Sequence, residues 1–277
     1  MVSASIRRLA DTTPQGRSSN MSWDPPGQSI LRDSAPRTTC LTQPCSYVTP
    51  IPSNLESADA APMLCAGITT FAALRKSGAK SGQWVVISGA GGGLGHIAVQ
   101  LSARGMAHRV IGIDAGSKEQ IVRDSGAEAF IDLTKHDDTS IAEEVKKITG
   151  GLGASAVIVC TASNRAYAQA LDFLRFGGTL VCVGMPEGKH VPIDKAYPAA
   201  MVAKLQTITA VAVGDRREAI EVLDFAARGI VKTHYRLEKM DRLTEVRPCP
   251  LYFGSGRKLE VTDHSPRRCS RKCTMGN

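Results

Sequence analysis

Four glycines in five positions, Gly91, Gly92, Gly93 and Gly95, are followed 19 positions after the last of them by a carboxylate, Asp114. The glycines come directly after Trp84–Ile87, an apolar, β-branched run without polar alternation, which predicts a strand buried on both faces. Beyond them Ile97, Ala98 and Leu101 recur at helical spacing. A strand, glycine turn and helix in this order let backbone approach a diphosphate closely, and the helix N-terminus offers its unbonded N–H groups to the anion. Registered on Gly92 and Gly95, the fingerprint G-x-G-x-x-G has Ala90 in its first position. A glycine turn alone often makes only a tight bend. The sequel adds weight: Arg109–Asp114 reads as a second buried strand ending in an acid. The dinucleotide fold places a carboxylate there, about 20 residues on, to accept hydrogen bonds from the adenosine ribose. A carboxylate repels a 2′-phosphate, so the pattern predicts NAD rather than NADP.

The other chemistry-bearing residues form no comparable constellation. His96 falls in the cofactor helix, His108 precedes a strand, and His136, His190, His234 and His264 are scattered. Cys65 on spacing alone is a small thiol on a helix. Cys160 and Cys182 sit in strand patterns and read as core. Cys40 and Cys45, and Cys269 and Cys273, are loose pairs lacking the second pair of a zinc ribbon. Eight cysteines in 277 residues of this class make no disulfide framework. With no hydrophobic signal-peptide core near Met1, a reducing compartment is expected, cytoplasmic in preference to mitochondrial. No apolar run reaches the roughly 18 residues that span a bilayer, so no membrane role is expected.

The elements that must position these residues alternate. Strands are expected at 84–88, 110–114, 129–131, 156–160, 179–183 and 207–213, and helices at 57–74, 94–103, 118–125, 140–148, 165–176 and 215–227. Gly78, the pair Gly177 and Gly178, and Gly229 read as helix stops. Single strands separated by helices predict an α/β fold, a doubly wound parallel six-stranded Rossmann sheet. The expected organisation is a disordered or atypical segment over 1–46, a linking segment and helix over 47–82, and an NAD-binding Rossmann domain over 83–230. A partial return follows over 231–246, then a basic aperiodic tail over 247–277. Charge follows the same division. The net charge of +8 resides largely in the tails: 47–246 carries 22 basic and 21 acidic groups, whereas 247–277 carries seven and two. That distribution argues for solvated tails and against a nucleic-acid footprint.

Six motifs together give the chain a family resemblance. They are Tyr47-Val-Thr-Pro-Ile-Pro52, Ala60-Ala-Pro-Met-Leu-Cys-Ala-Gly-Ile-Thr69, Ile87-Ser-Gly-Ala-Gly-Gly-Gly-Leu-Gly95, Gly112-Ile-Asp114, Val183-Gly-Met-Pro186 and Asp224-Phe-Ala-Ala-Arg-Gly229. Over 47–246 the chain resembles the second half of a zinc-containing medium-chain alcohol dehydrogenase of the yeast and fungal type. The resemblance implies NAD as cofactor and a reaction of primary alcohol with NAD to aldehyde and NADH. It implies that Gly92, Gly93, Leu94 and Gly95 form the diphosphate turn, that Asp114 and Lys118 flank the adenosine ribose, and that Phe130 and Ser163 line the cofactor pocket. Val183, Met185 and Val213 would contact the carboxamide side through backbone groups. Cys65 would be one ligand of a catalytic zinc. The partner cysteine and histidine ligands belong to a domain for which this sequence has no counterpart, and Gly-His-Glu is absent. The expectation is therefore an incomplete zinc site, the remnant of a truncated catalytic domain, doubtful turnover and no catalytic residue assigned. Small alcohol and aldehyde substrates are implied, with a homo-oligomer through the sheet edge. Two alternatives stay open: a zinc-free quinone or enoyl reductase of the same fold, and a non-catalytic NAD-binding, dimerising fragment.

Overall fold

Alternate residues along each central strand point into two different apolar layers. Val85 and Ile87 face one, Val86 the other; Ala156 and Ile158 face the first, Val157 and Val159 the second. This period of two, with both faces apolar, requires helices above and below the sheet. The computed structural model describes residues 48–186, 188 and 191–235 and shows that arrangement. Tyr47, the segments 1–46 and 247–277, the return beyond residue 235, His190 and His264 lie outside the described residues.

The strands are β1 (Trp84–Ser88), β2 (Arg109–Asp114), β3 (Ala129–Asp132), β4 (Ala154–Val159), β5 (Leu174–Cys182) and β6 (Thr207–Ala210). They form one six-stranded sheet in the order β3-β2-β1-β4-β5-β6, and every neighbouring pair is parallel. The connection from β3 to β4 crosses from one side of β1 to the other, so the strand order reverses between β1 and β4. In such sheets ligands lie outside the carboxyl ends at that reversal.

The helices are α1 (Ser57–Pro62), α2 (Ile68–Lys76), α3 (Gly93–Gln100), α4 (Glu119–Asp124), α5 (Asp138–Ile148), α6 (Asn164–Ala170), α7 (Pro198–Lys204) and α8 (Arg216–Ala227). α2, α3, α4 and α8 contribute to the first apolar layer; α5 and α6 contribute to the second. Asp215 and Glu218 start α8 with a capping box: Asp215 Oδ1 accepts from Glu218 N–H at 2.8 Å, and Glu218 Oε2 accepts from Asp215 N–H at 3.0 Å. A π-turn, Met63–Gly67, joins α1 to α2. The resulting 20-residue stretch Ser57–Lys76 is long and apolar enough by composition to cross a bilayer, at a mean hydropathy of 1.2. The stretch carries Asp59, Arg75 and Lys76, so the unbroken uncharged run within it is confined to 60–74. More than half of the stretch is buried inside the chain, as the core-facing side of α2 requires.

Three elements differ from expectation. The helix beginning near Arg165 stops at Ala170, and the chain runs through Leu174–Cys182 as strand, so Gly177 and Gly178 lie inside β5. α7 was not anticipated; none of its residues is buried, so it presents no apolar stripe to read. β6 ends at Ala210, and Val213 sits outside it in the left-handed region at φ 62°.

The segment after α8 is fastened to α3. The buried side-chain amide of Gln100 donates to the Lys232 carbonyl and accepts from the Lys232 N–H, both at 2.9 Å. Buried His96, one turn earlier, donates through Nδ1 to the Gly92 carbonyl at 2.8 Å, and its Nε2 accepts from His234 N–H at 3.5 Å.

Candidate dinucleotide-binding site

The turn after β1 is held by backbone. The N–H groups of Gly89 and Ala90 both donate to the Ile113 carbonyl, at 2.9 and 3.2 Å, which ties the turn to the end of β2. Gly89 takes φ 78°, a conformation that favours glycine. Gly92 N–H then closes back on the Gly89 carbonyl at 3.1 Å, and Gly92 caps α3 in an extended conformation. The first bond of the helix is from His96 N–H to the Gly92 carbonyl at 3.0 Å. Gly93, Leu94 and Gly95 precede it, and no side chain caps α3, so their N–H groups are the unbonded donors of a helix start. A Cβ at Gly95 would lie 1.9 Å from the Gly89 carbonyl oxygen. The turn closes this tightly only with glycine there.

Asp114 meets the turn from β2. Its Oδ2 accepts from Gly91 N–H and its Oδ1 from Ala115 N–H, each at 2.8 Å. A carboxylate has about four acceptor positions, so two such bonds fix its orientation and leave capacity for a further donor. Asp114 and the turn open into a cavity of about 540 Å³ across the carboxyl ends of β1 and β4. That size suits a small-molecule site. Thr161, Ala162 and Ser163 form the wall after β4, and Val183, Gly184 and Met185 the wall after β5. On the far side of Asp114 the cavity continues between Leu133 and Ile141 and, from α6, Arg165, Ala166 and Gln169.

The cavity gathers Gly92, Gly93, Leu94, Asp114, Ser163, Val183 and Met185 of the residues expected from sequence. Ser163 also caps α6, its hydroxyl accepting from Ala166 N–H at 3.4 Å. Gly95, Lys118, Phe130 and Val213 are not on its wall. Gly95 packs behind the turn, and the stem of Lys118 lies against Gly91. Phe130 projects from β3 into the first apolar layer, on the face opposite Ile131. Val213 is exposed. Thr161, Arg165 and Gln169 line the cavity without having been anticipated. Two of them are polar residues on a helix face that reads as solvated, and nothing in their spacing marks them.

Two groups near the cavity are held neutral. Burial pushes the Cys160 thiol up to about 12. Burial likewise raises the Tyr167 phenol, and its O–H donates to the Gly184 carbonyl, steadying the wall after β5.

Cys65 is exposed on the π-turn, away from this cavity. Among the described residues, no group of three or more His, Cys, Asp or Glu side chains is placed to hold a metal ion. A catalytic zinc needs three protein ligands and an open position, and the described residues do not fit it.

The description zinc-binding dehydrogenase matches residues 93–228. Alcohol dehydrogenase 2 of Emericella nidulans is 58% identical over 208 residues, covering 73% of this chain and 57% of that protein. The alcohol dehydrogenase of Schizosaccharomyces pombe is 41% identical over 202 residues, with 73% and 56% covered. Among solved structures, the alcohol dehydrogenase of the hyperthermophilic archaeon Aeropyrum pernix superposes with a TM-score of 0.61 at 26% identity, covering 71% of this chain and 56% of that one. The chain thus spans little more than half the length of the curated relatives it matches. The match includes the glycine turn's helix, Asp114 and the walls after β4 and β5, and on that basis the chain belongs to the zinc-binding dehydrogenase family, among its fungal-type alcohol dehydrogenases.

Proposed function

We propose that the cavity binds NAD and that the chain is the cofactor-binding part of an NAD-dependent alcohol dehydrogenase-like oxidoreductase, interconverting a primary alcohol and its aldehyde. One observation carries this reading: three unbonded N–H groups, at Gly93, Leu94 and Gly95, open beside a fixed carboxylate, Asp114, at the sheet's reversal point. When bound, NAD supplies a nicotinamide ring that exchanges hydride with the substrate carbon. The amides at 93–95 bind the diphosphate. Asp114 accepts from the ribose hydroxyls, with Lys118 beside the turn. Ser163, Val183 and Met185 orient the nicotinamide half; Phe130 packs in the first apolar layer and exposed Val213 lies off the wall, so neither touches the cofactor in this reading. Cys160 is protonated at neutral pH and serves as wall rather than nucleophile. Among the described residues the zinc that the family name implies finds only Cys65, so no step here is routed through a metal. Among the described residues β6 is an edge strand, through which two copies would extend the sheet. Cytoplasmic placement belongs to the same reading.

A zinc-free quinone or enoyl reductase is the second reading, favoured by the lack of a metal-ligand cluster among the described residues. The two part on cofactor. Titration of the full chain with NADH and NADPH, followed by fluorescence, tests them. Saturable NADH binding is expected, with NADPH at least about tenfold weaker. Asp114→Asn should weaken NADH by about 10- to 100-fold, the range for a hydrogen bond to a charged group. Equal binding of NADPH favours the reductase reading, and no binding of either rejects both.

A further inference from the structure

The cavity extends beyond Asp114, and that extension has its own construction. Leu133 N–H donates to the Asp114 carbonyl at 3.0 Å, so Leu133 stands next to the carboxylate on the β3 side. The cavity wall there is apolar from Leu133 and Ile141, and across from them stand Arg165, Ala166 and Gln169 of α6. The nicotinamide-side residues Val183 and Met185 lie after β5, on the other side of β1 and β4. A dinucleotide whose ribose meets Asp114 therefore places its purine between Leu133 and Ile141 and the start of α6.

Arg165 is not free to swing there. Asp138, in the first turn of α5, accepts at Oδ1 from Arg165 Nε at 2.6 Å and from Nη2 at 2.5 Å. The same oxygen accepts from the Gln169 side-chain amide, one turn further along α6. The bridge joins α5 to α6 beside the cavity that Arg165 and Gln169 line. Both side chains are about half exposed, so the pair adds little to folding stability. Its effect is geometric: it fixes the plane of a guanidinium that lines the cavity, and a fixed planar cation is the kind of group that stacks on a flat aromatic ring.

We propose that Arg165, oriented by Asp138 and Gln169, is a specificity-determining residue that stacks on the adenine ring of the cofactor. This rests on the dinucleotide reading above. The residue acts on binding of the base and not on the hydride-exchanging half. The test compares two ligands on the full chain. ADP-ribose carries the base, and reduced nicotinamide mononucleotide lacks it. Arg165→Ala should weaken ADP-ribose by about 2- to 30-fold, the range for a cation over an aromatic face, and leave the mononucleotide within twofold. Arg165→Lys keeps the charge but not the plane, and should recover only part of the loss. Asp138→Asn should give a smaller loss of the same kind. Unchanged melting temperatures for the three variants are expected at these exposed positions.

If the unaltered chain binds ADP-ribose and Arg165→Ala binds it equally well, this proposal fails and the dinucleotide reading stands. An equal loss for both ligands overturns the assignment to the base. Failure of the unaltered chain to bind NADH or ADP-ribose overturns the dinucleotide reading and this proposal with it.

Discussion

The glycine turn and the Cys65 turn are two chemistry-bearing segments on the same fold, and they are built in opposite ways. The first uses backbone. Its donors are consecutive amides, its carboxylate is fixed by two of its own main-chain bonds, and its shape is set where side chains are missing. The second is a single exposed thiol with no companion ligands among the described residues. The diphosphate turn of a dinucleotide cradle is contiguous in sequence, one strand–turn–helix, and its carboxylate follows at the end of the next strand. A metal centre is a meeting of side chains from distant segments, and one of them alone says little.

The largest test of that contrast is Gly95→Val. A Cβ there would sit 1.9 Å from the Gly89 carbonyl oxygen, so the turn must open. NADH binding should be lost, with a destabilisation of about 1–3 kcal/mol or more from overpacking; a variant that binds NADH normally would mean the amides are not the anchor. A smaller effect comes from pH. Burial lowers the imidazoles of His96 and His108 below their ordinary value of 6.5. Each is neutral in the fold at a pH where the unfolded chain takes up a proton. The stability they contribute is therefore fully present above about pH 6.5 and is lost as pH falls below it. Melting temperature should drop between pH 7.5 and pH 5, by roughly 2–4 °C for each kcal/mol lost. His96→Gln should flatten the drop, and an unchanged slope would remove His96 as a source. The smallest expected effect is Cys65→Ser, which should leave NADH affinity within twofold and bound zinc unchanged by elemental analysis. Loss of a stoichiometric zinc in that variant would break the contrast between the two turns.

Much of this was legible in the sequence, for reasons that particular residues make plain. Trp84–Ile87 and the glycines declare β1 and its turn because a strand buried on both faces carries no polar alternation and few other patterns resemble it. Asp114 follows at the spacing the fold requires. What was misread lacked a one-dimensional signature. Leu171, Phe173 and Leu174 are all buried, and their spacing prolongs a helical pattern past the point where the chain turns into β5. α7 buries none of its residues fully and leans on the second apolar layer only through Met201. Phe130 is half-buried, and only the register of β3 tells which layer it enters. Arg165 and Gln169 reach the cavity because Asp138, on another helix, is placed to receive them. A contact between two helices cannot be read from either one alone.

The Gln100 amide sets a lower bound on how much chain a self-sufficient nucleotide-binding piece must retain. A fragment cut at Ile230, just past α8, would keep every strand and every cavity residue. It would also strip both Lys232 bonds from an amide that is only 3% exposed in the whole chain, leaving it the His96 carbonyl at 3.1 Å and the Arg104 guanidinium at 3.3 Å. Each lost hydrogen bond costs about 0.5–1.5 kcal/mol, a noticeable fraction of what holds a small domain together. Trimmed one residue beyond Lys232 the piece should fold; trimmed two residues before it, α3 would lose its tether, and the phosphate-facing end of that helix would loosen with it.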